Sequence, residues 1–223
     1  MKLGIISAMP EELATLVDAL DEDQKQTRSG FIFHTGAIGR HEVVLVASGI
    51  GKVMSALAVS YLVQLFEVDA IINSGSAGAV SPSLKVGDVV LADKLAYHDV
   101  DVTAFGYNYG QMAGQPLYYE SSSYFLSEMK KLKSDAIVGL IVSGDSFVTD
   151  TAPILDHFPA ALATEMEGAS IAQAASSLKK PFLIIRAISD TADHEANVTF
   201  DAFIDEAGKK SATTLIQLLE QMV

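Results

Sequence analysis

Two carboxylates interrupt an apolar run at Glu165-Met166-Glu167, between Ala160-Ala161-Leu162-Ala163-Thr164 and a small-residue helix predicted from Ala169 to Leu178. Charged side chains are seldom buried unless they are paired, hydrogen-bonded or used, so acids placed where packing asks for none mark a candidate site. Arg186 lies inside Leu183-Ile184-Ile185-Arg186-Ala187-Ile188. A guanidinium in so apolar a strand needs a carboxylate, and Glu165 or Glu167 is the expected partner. Glu12, Ser76, Phe147 and the pair Ser189-Asp190 also fall at or just past the ends of apolar runs. Carboxylates, a hydroxyl, an aromatic and one guanidinium, without a Ser-His-Asp pattern, suit acid/base chemistry on a small polar substrate. Glycosyl transfer or hydrolysis is the class in which two acids work on opposite sides of one bond.

Other chemistries fit the residues less well. His98, Asp99 and Asp101 hint at a metal, but no second histidine is near and the spacing matches no strong metal motif, so no metal is expected. Gly49-Ile50-Gly51-Lys52 invites a phosphate-loop reading that would require glycine at Val46 and Ser or Thr at Val53. It is read instead as a tight strand-to-helix turn. Gly75-Ser76-Ala77-Gly78 either lets backbone amides approach a ligand or forms a loop that needs positive φ, and the residues alone leave both open. Phe147 is either a core residue or a ligand platform.

The elements that must position these groups alternate between strand and helix. Lys2 to Ala8 reads as a buried strand, and Pro10 opens a helix to about Leu20, with Glu11 and Glu12 near its positive end. The acidic stretch Asp21 to Thr27 is expected to be a solvated turn. Ser29 to Ile38 and Glu42 to Ser48 form a predicted hairpin through Gly39-Arg40-His41. A helix to about Phe66, a strand at Asp69 to Asn73, and a bent strand or strand pair from Val86 to Tyr97 follow. The aromatic and glycine-rich stretch from His98 to Gly110 suggests an ordered loop over a pocket or a subunit interface. Ser121 to Leu132 is a predicted helix, Ala136 to Val142 a strand, Thr151 to Phe158 a short helix ended by Pro159, Pro181 to Ile188 the last strand, and Phe200 to Val223 a long helix. The order implies an α/β three-layer sandwich with a mixed, largely parallel central sheet, expected as one domain over residues 1–223.

Composition bounds the partners. The 223 residues are 49% hydrophobic and 19% charged, enough for a sizeable core. A net charge of −13 repels phosphate backbones and anionic lipid, so neither nucleic acid nor membrane is an expected partner. The chain has no cysteine, which excludes disulfides and thiolate chemistry and suits a reducing cytoplasm. The opening residues do not resemble a signal peptide.

A wider resemblance rests on many co-linear motifs. Gly4-Ile5-Ile6-Ser7-Ala8-Met9 with Glu12, Ser48-Gly49-Ile50-Gly51-Lys52, Asn73-Ser74-Gly75-Ser76-Ala77-Gly78, Val86-Gly87-Asp88, Tyr97-His98-Asp99-Val100-Asp101, Thr103-Ala104-Phe105-Gly106-Tyr107, Val142-Ser143-Gly144-Asp145, Glu165-Met166-Glu167 and Arg186-Ala187-Ile188-Ser189-Asp190 occur in this order. Together they resemble the bacterial 5′-methylthioadenosine/S-adenosylhomocysteine nucleosidases. The resemblance implies the nucleoside phosphorylase fold, a homodimer, no cofactor, and hydrolysis of the bond between adenine and a thioribose. It further implies that Glu12 activates water with help from Ser76 and Arg186, and that Asp190 protonates adenine N7. Ala77, Gly78 and Ser189 border the substrate in the same pattern. Glu167 would hold the ribose hydroxyls, Met166 would pack beneath the sugar, Phe147 would stack on adenine and Val148 would read its edge. Met9, Ile50 and Phe200 would line the 5′-thio pocket, closed by Val102, Phe105 and Tyr107 of the partner subunit. Asp190 must then hold a proton near neutral pH while Glu12 stays ionised. Glu165 is expected to be structural support bonded to nearby backbone or hydroxyl groups. Ala113 departs from the family pattern beside the thio pocket. A purine nucleoside phosphorylase and a non-catalytic nucleoside-binding protein of the same fold are the rival readings.

Overall fold

Leu3 to Ser7 are all buried, and Leu3 and Ile5 belong to one apolar cluster while Ile6 belongs to another. A strand with no polar face must be covered on both sides, because successive side chains point to opposite faces. The computed structural model describes residues 1–132, 135–192 and 196–222, so Val223, the last residue of the predicted terminal helix, lies outside it. Its elements run β1 (Lys2–Ser7), α1 (Pro10–Asp18), β2 (Asp21–Arg28), β3 (Phe31–Ile38), β4 (His41–Ala47), α2 (Lys52–Phe66), β5 (Ala70–Ala79) and β6 (Val89–Tyr97). Then come a 3₁₀ turn at Thr103–Phe105, β7 (Tyr119–Glu120), α3 (Ser123–Lys131), β8 (Ile137–Ser143), α4 (Ala152–His157), β9 (Ala161–Glu165), α5 (Gly168–Ser177), β10 (Phe182–Asp190) and α6 (Ala196–Gln221). No helix among the described residues is long and apolar enough to cross a membrane.

The strands share one ten-stranded mixed sheet, ordered β10-β6-β8-β9-β5-β1-β4-β3-β2, with β7 on β6 and a further pairing of β10 with β5. That pairing closes β5, β9, β8, β6 and β10 into a ring. β1 is parallel to β4 and β5, and β5 is parallel to β10, while the hairpins of β2, β3 and β4 are antiparallel. On one face Ala58, Val59 and Leu62 of α2 and Ile171, Ala172 and Ala175 of α5 pack on Ile6, Val44, Val46 and Ile71. On the other, Leu13 and Leu16 of α1 and Leu215, Leu218 and Leu219 of α6 pack on Leu3, Ile5, Val43, Leu45 and Ile72. The alternation along β1, β4 and β5 thus divides the core into two layers of side chains, giving the three-layer sandwich expected of the α/β pattern.

The structure corrects three expectations. Asp21–Arg28 is an edge strand rather than a solvated turn. Its polar side chains lie in water on an outer strand, so neither face needs an apolar residue and no periodicity marks it. Gly75 to Gly78 continue β5 to Ala79, and neither glycine has positive φ, so this is not a loop that needs that conformation. β10 likewise runs through Ser189 to Asp190. The Gly49-Ile50-Gly51 turn does use positive φ, 85° at Gly49 and 97° at Gly51, as a sharp strand-to-helix turn requires.

α6 crosses α1 at Gly208, where an added Cβ would stand 2.9 Å from the Glu12 Cα. Glycine in a helix interior is otherwise unfavourable by about 1 kcal/mol against alanine. Gly208→Ala is nevertheless expected to destabilise the protein by about 1 to 3 kcal/mol, because the helices must part. Urea unfolding reads the sign, and a stabilised variant would show that α6 can move aside without loss.

Candidate active site

The site forms where two strands share one edge of β5. β1 flanks β5 only as far as the Ile6–Asn73 pair, and β9 joins that strand only at Gly78–Thr164. Ser74 to Ala77 therefore have no strand partner on that side, while β10 lies along the other. Ligands in open α/β sheets bind where neighbouring strands diverge in this way.

Glu12 fills the opening. It sits in the first turn of α1, and its Oε2 accepts from the amides of Ala8 at 3.0 Å and Met9 at 3.2 Å, capping its own helix. Its Oε1 accepts from the Ser76 amide and hydroxyl, each at 2.8 Å. The carboxylate thus closes the gap in the ladder with a side chain in place of a strand. A Cβ at Gly75 would lie 2.8 Å from that same Oε1, and one at Gly78 would lie 2.7 Å from Asp190 Oδ1. Both glycines make room for acids. Asp190 ends β10 buried, with Oδ2 accepting from Ser189 Oγ at 2.9 Å and Oδ1 from the Ala192 amide at 2.8 Å.

Between these acids lies Arg186, paired with Gly75 in the ladder and 1% exposed. Its Nη2 donates to Asn73 Oδ1 at 2.7 Å, to Glu165 Oε2 and, at 3.2 Å, to Glu167 Oε2. The expected partner, Glu165 or Glu167, is therefore both. Glu165 is the support residue that the sequence led us to expect. Its Oε1 accepts from Ser143 Oγ, and its Oε2 accepts from the amides of Glu167 at 3.1 Å and Gly168 at 2.7 Å. Those amides open α5, so a carboxylate from the preceding strand caps the helix at its positive end. Glu167 accepts from the Gly51 amide at 2.9 Å through Oε1, which ties β9 to the turn before α2.

Burial works on these groups in opposite directions. It pushes the Glu167 carboxyl up to about 7 against the pull of Arg186, and the charges of Glu165 and Glu12 push the same way. Burial alone would favour a neutral Arg186, but Glu165, Glu167 and Glu12 hold it charged and move its pKa above the ordinary arginine value.

A cavity of about 170 Å³ opens over this network. Met9, Glu12, Ile50, Ser76, Ala77, Gly78, Phe147, Val148, Met166, Glu167, Arg186, Ser189, Asp190 and Phe200 all line it, so every site residue expected from the same subunit is gathered at one place. Phe147 is 47% exposed at the mouth and meets Phe200 edge to face at 5.6 Å, so it is not a core residue. Val102, Phe105 and Tyr107 do not line it, and Phe105 is 81% exposed on the 3₁₀ turn. Thr164, Glu165 and Ala192 also line the cavity without having been singled out as ligand-contacting. Alternation along β9 could have placed Glu165 on the Glu167 side, but only its bonds to Ser143 and Arg186 distinguish it. The two acids of the weighed metal site have other partners: Asp99 binds Lys52, and Asp101 accepts from the Thr103 amide and hydroxyl.

Glu167 gives the site a pH dependence of defined sign. A carboxyl with a raised pKa binds its proton more tightly in the folded state than in the unfolded one. Its burial therefore costs least below about pH 4.5, and stability falls as pH rises from there through about 7. Glu167→Gln lacks this titration. Its stability relative to wild type is expected to improve by on the order of 3 kcal/mol between pH 4.5 and 7.5 in urea unfolding, and a pH-independent difference would refute the assignment.

The chain is similar to known proteins along its whole length. A family model described as the phosphorylase superfamily matches residues 2–223. The 5′-methylthioadenosine/S-adenosylhomocysteine nucleosidase of Shewanella sp. (strain MR-7) is 44% identical over 230 aligned positions, covering 100% of this chain and 98% of that one. A solved nucleosidase of that name from S. pneumoniae, with the transition-state inhibitor MT-ImmA, superposes with a TM-score of 0.97 at 59% identity over 99% of both chains. An S-adenosylhomocysteine nucleosidase from Streptococcus pyogenes in complex with 5-methylthiotubericidin gives 0.98 at 53% identity, over 100% of this chain and 98% of that chain. The strand-edge opening, the buried Arg186 and the full-length matches lead to one assignment: the chain belongs to the phosphorylase superfamily, in the family of 5′-methylthioadenosine/S-adenosylhomocysteine nucleosidases.

Proposed function

We propose that the protein hydrolyses the N-glycosidic bond of 5′-methylthioadenosine and S-adenosylhomocysteine, releasing adenine and the thioribose product. The observation that carries the reading is the pairing, in one small cavity, of a carboxylate fixed by four hydrogen bonds with a second acid at the end of a neighbouring strand. Hydrolysis needs an acceptor for a water proton and a donor for the leaving base. Glu12 activates the water, assisted by Ser76 and Arg186, and Asp190 protonates adenine N7. The Ala8, Met9 and Ser76 donors fix the Glu12 carboxylate in place at the cavity wall, which suits it to orient a water.

Glu167 holds the ribose hydroxyls, with Met166 beneath the sugar and its carboxylate set by Gly51 and Arg186. Negative charge there stabilises an oxocarbenium-like sugar as the bond lengthens. Phe147 stacks on adenine, the Val148 backbone reads its edge, and Ala77, Gly78 and Ser189 border it. Met9, Ile50 and Phe200 enclose the 5′-thio substituent. The protein acts as a homodimer in which Val102, Phe105 and Tyr107 of the partner subunit close that pocket. An 81% exposed Phe105 and the exposed Val53, Leu57 and Leu65 along α2 supply apolar surface for such an interface.

A phosphorylase reading needs cations free to hold phosphate. Among the described residues lining the cavity, Arg186 is the only Lys or Arg, and two glutamates hold it. Lys52, beside the glycine turn, is bonded to Asp99 at 2.6 Å. Both arrangements favour water over phosphate as the nucleophile.

Asp190→Asn is expected to lower kcat for adenine release by on the order of 10² to 10⁴-fold. Affinity for methylthioadenosine, read by calorimetry, should survive. Near-normal turnover would remove Asp190 from the mechanism, and binding without cleavage by the wild-type protein would favour a nucleoside-binding role instead.

A further inference from the structure

Outside the cavity, three charged side chains join the segments that form its walls. Lys52 Nζ donates to Asp99 Oδ2 at 2.6 Å and lies 3.6 Å from Asp145 Oδ2. The Lys52 amide donates to Asp145 Oδ1 at 2.8 Å, and the Asp145 amide donates to Asp99 Oδ2 at 2.8 Å. None of the three lines the cavity. Each belongs to a segment that matters there: Lys52 follows the Ile50 turn, Asp145 precedes Phe147 and Val148, and Asp99 leaves β6 toward Val102 and Phe105.

Half-exposed ion pairs contribute little through charge attraction alone. These carboxylates also take backbone amides, which makes the bonds directional and charge-assisted. Gly51, the N-cap of α2, has no side chain to satisfy the first amides of the helix. Glu167 takes the Gly51 amide and Asp145 takes the Lys52 amide, so two neighbouring peptide groups tie the Ile50 turn to the sugar side and to the Phe147 side of the cavity. The backbone is shaped to admit the contact. A Cβ at Gly144 would stand 3.0 Å from Asp99 Cγ, and one at Gly51 would stand 3.1 Å from Asp145 Oδ1.

We propose that Lys52, Asp99 and Asp145 form a positioning triad that locks the Ile50 turn to the Phe147 loop and so sets substrate affinity without taking part in the chemistry. The claim about affinity rests on the nucleosidase reading, whereas the coupling of the two segments does not. Binding energy depends on both walls being in place before the ligand arrives, and a displacement of about 1 Å in a positioning group can cost up to about 10²-fold in rate.

The test uses Lys52→Met and Asp99→Asn in the full chain, with two readouts. Amide hydrogen exchange without ligand is expected to speed up over residues 49–53 and 144–148 together in either variant. KM for methylthioadenosine is expected to rise on the order of tenfold while kcat changes less than about threefold. Lys52→Arg keeps the charge and should stay within about threefold of wild type in KM. The double variant should be no worse than the poorer single one, since both break the same triad. Unchanged exchange over 144–148 when Lys52 is replaced would overturn the coupling, whatever the substrate. An equal loss in kcat, or a fall to monomer mass in sedimentation, would overturn the role in affinity. A wild-type protein that does not cleave methylthioadenosine would overturn the nucleosidase reading and leave the exchange result to decide the coupling. If Lys52→Met does not fold, Asp99→Asn decides by the same criteria.

Discussion

A guanidinium held at the centre of the sheet by two glutamates sets the terms for the rest of this protein. Arg186 is 1% exposed, and an unpaired charge at such a position would be strongly destabilising. Glu165 and Glu167 balance its charge and Asn73 takes a further bond from Nη2, while Nε has no protein partner among the described residues, and each carboxylate's obligation passes outward. Glu165 must also cap α5 and meet Ser143, while Glu167 must meet the Gly51 amide. A single buried cation therefore fixes the relative placement of β5, β8, β9, β10 and the turn before α2. The polar floor of the cavity is thereby fixed, whereas Ile50 and Phe147 at its mouth remain exposed.

The same network explains why two acids can share so small a space. Arg186 and the Glu12 carboxylate face each other across Gly75, where no side chain could fit. Glu12 is held by three amides and a hydroxyl at the start of α1, and Asp190 stands at the end of β10 with Ser189 Oγ and the Ala192 amide among its donors. In the proposed reaction one acid accepts a proton and the other delivers one, and the two are placed on different elements, one opening α1 and the other ending β10. Glu167, lifted toward 7 by burial, is the carboxylate on which the cost of desolvation falls.

Much of this was legible in the amino-acid order. Leu3, Ile5 and Ile6, or Val43 through Val46, have no polar residue among them, which marks strands covered on both faces. Arg186 inside its apolar run announced a buried carboxylate before any contact was known. Periodicity could not find β2, whose side chains face water, nor carry β5 through Gly75-Ser76-Ala77-Gly78, because small residues read as a turn when no neighbour is visible. Position at the ends of apolar runs pointed to Glu12, Ser76, Phe147, Glu167 and Asp190, and the motif resemblance supplied residues such as Met9, Ile50, Val148 and Phe200. Neither source revealed that Glu165 caps α5, a local bond that depends on where the strand gives way to the helix, or that Lys52 reaches Asp99, a partner 47 residues along the chain.

Arg186, the only Lys or Arg among the described residues lining the cavity, has its charge balanced by Glu165 and Glu167, and the proposed nucleophile is therefore water in place of phosphate. Mass analysis of the sugar product formed from methylthioadenosine in concentrated phosphate addresses this directly. Free methylthioribose, formed at a rate unaffected by phosphate, is the expected result. A methylthioribose 1-phosphate product would show that an anion displaces the base and would contradict the claim.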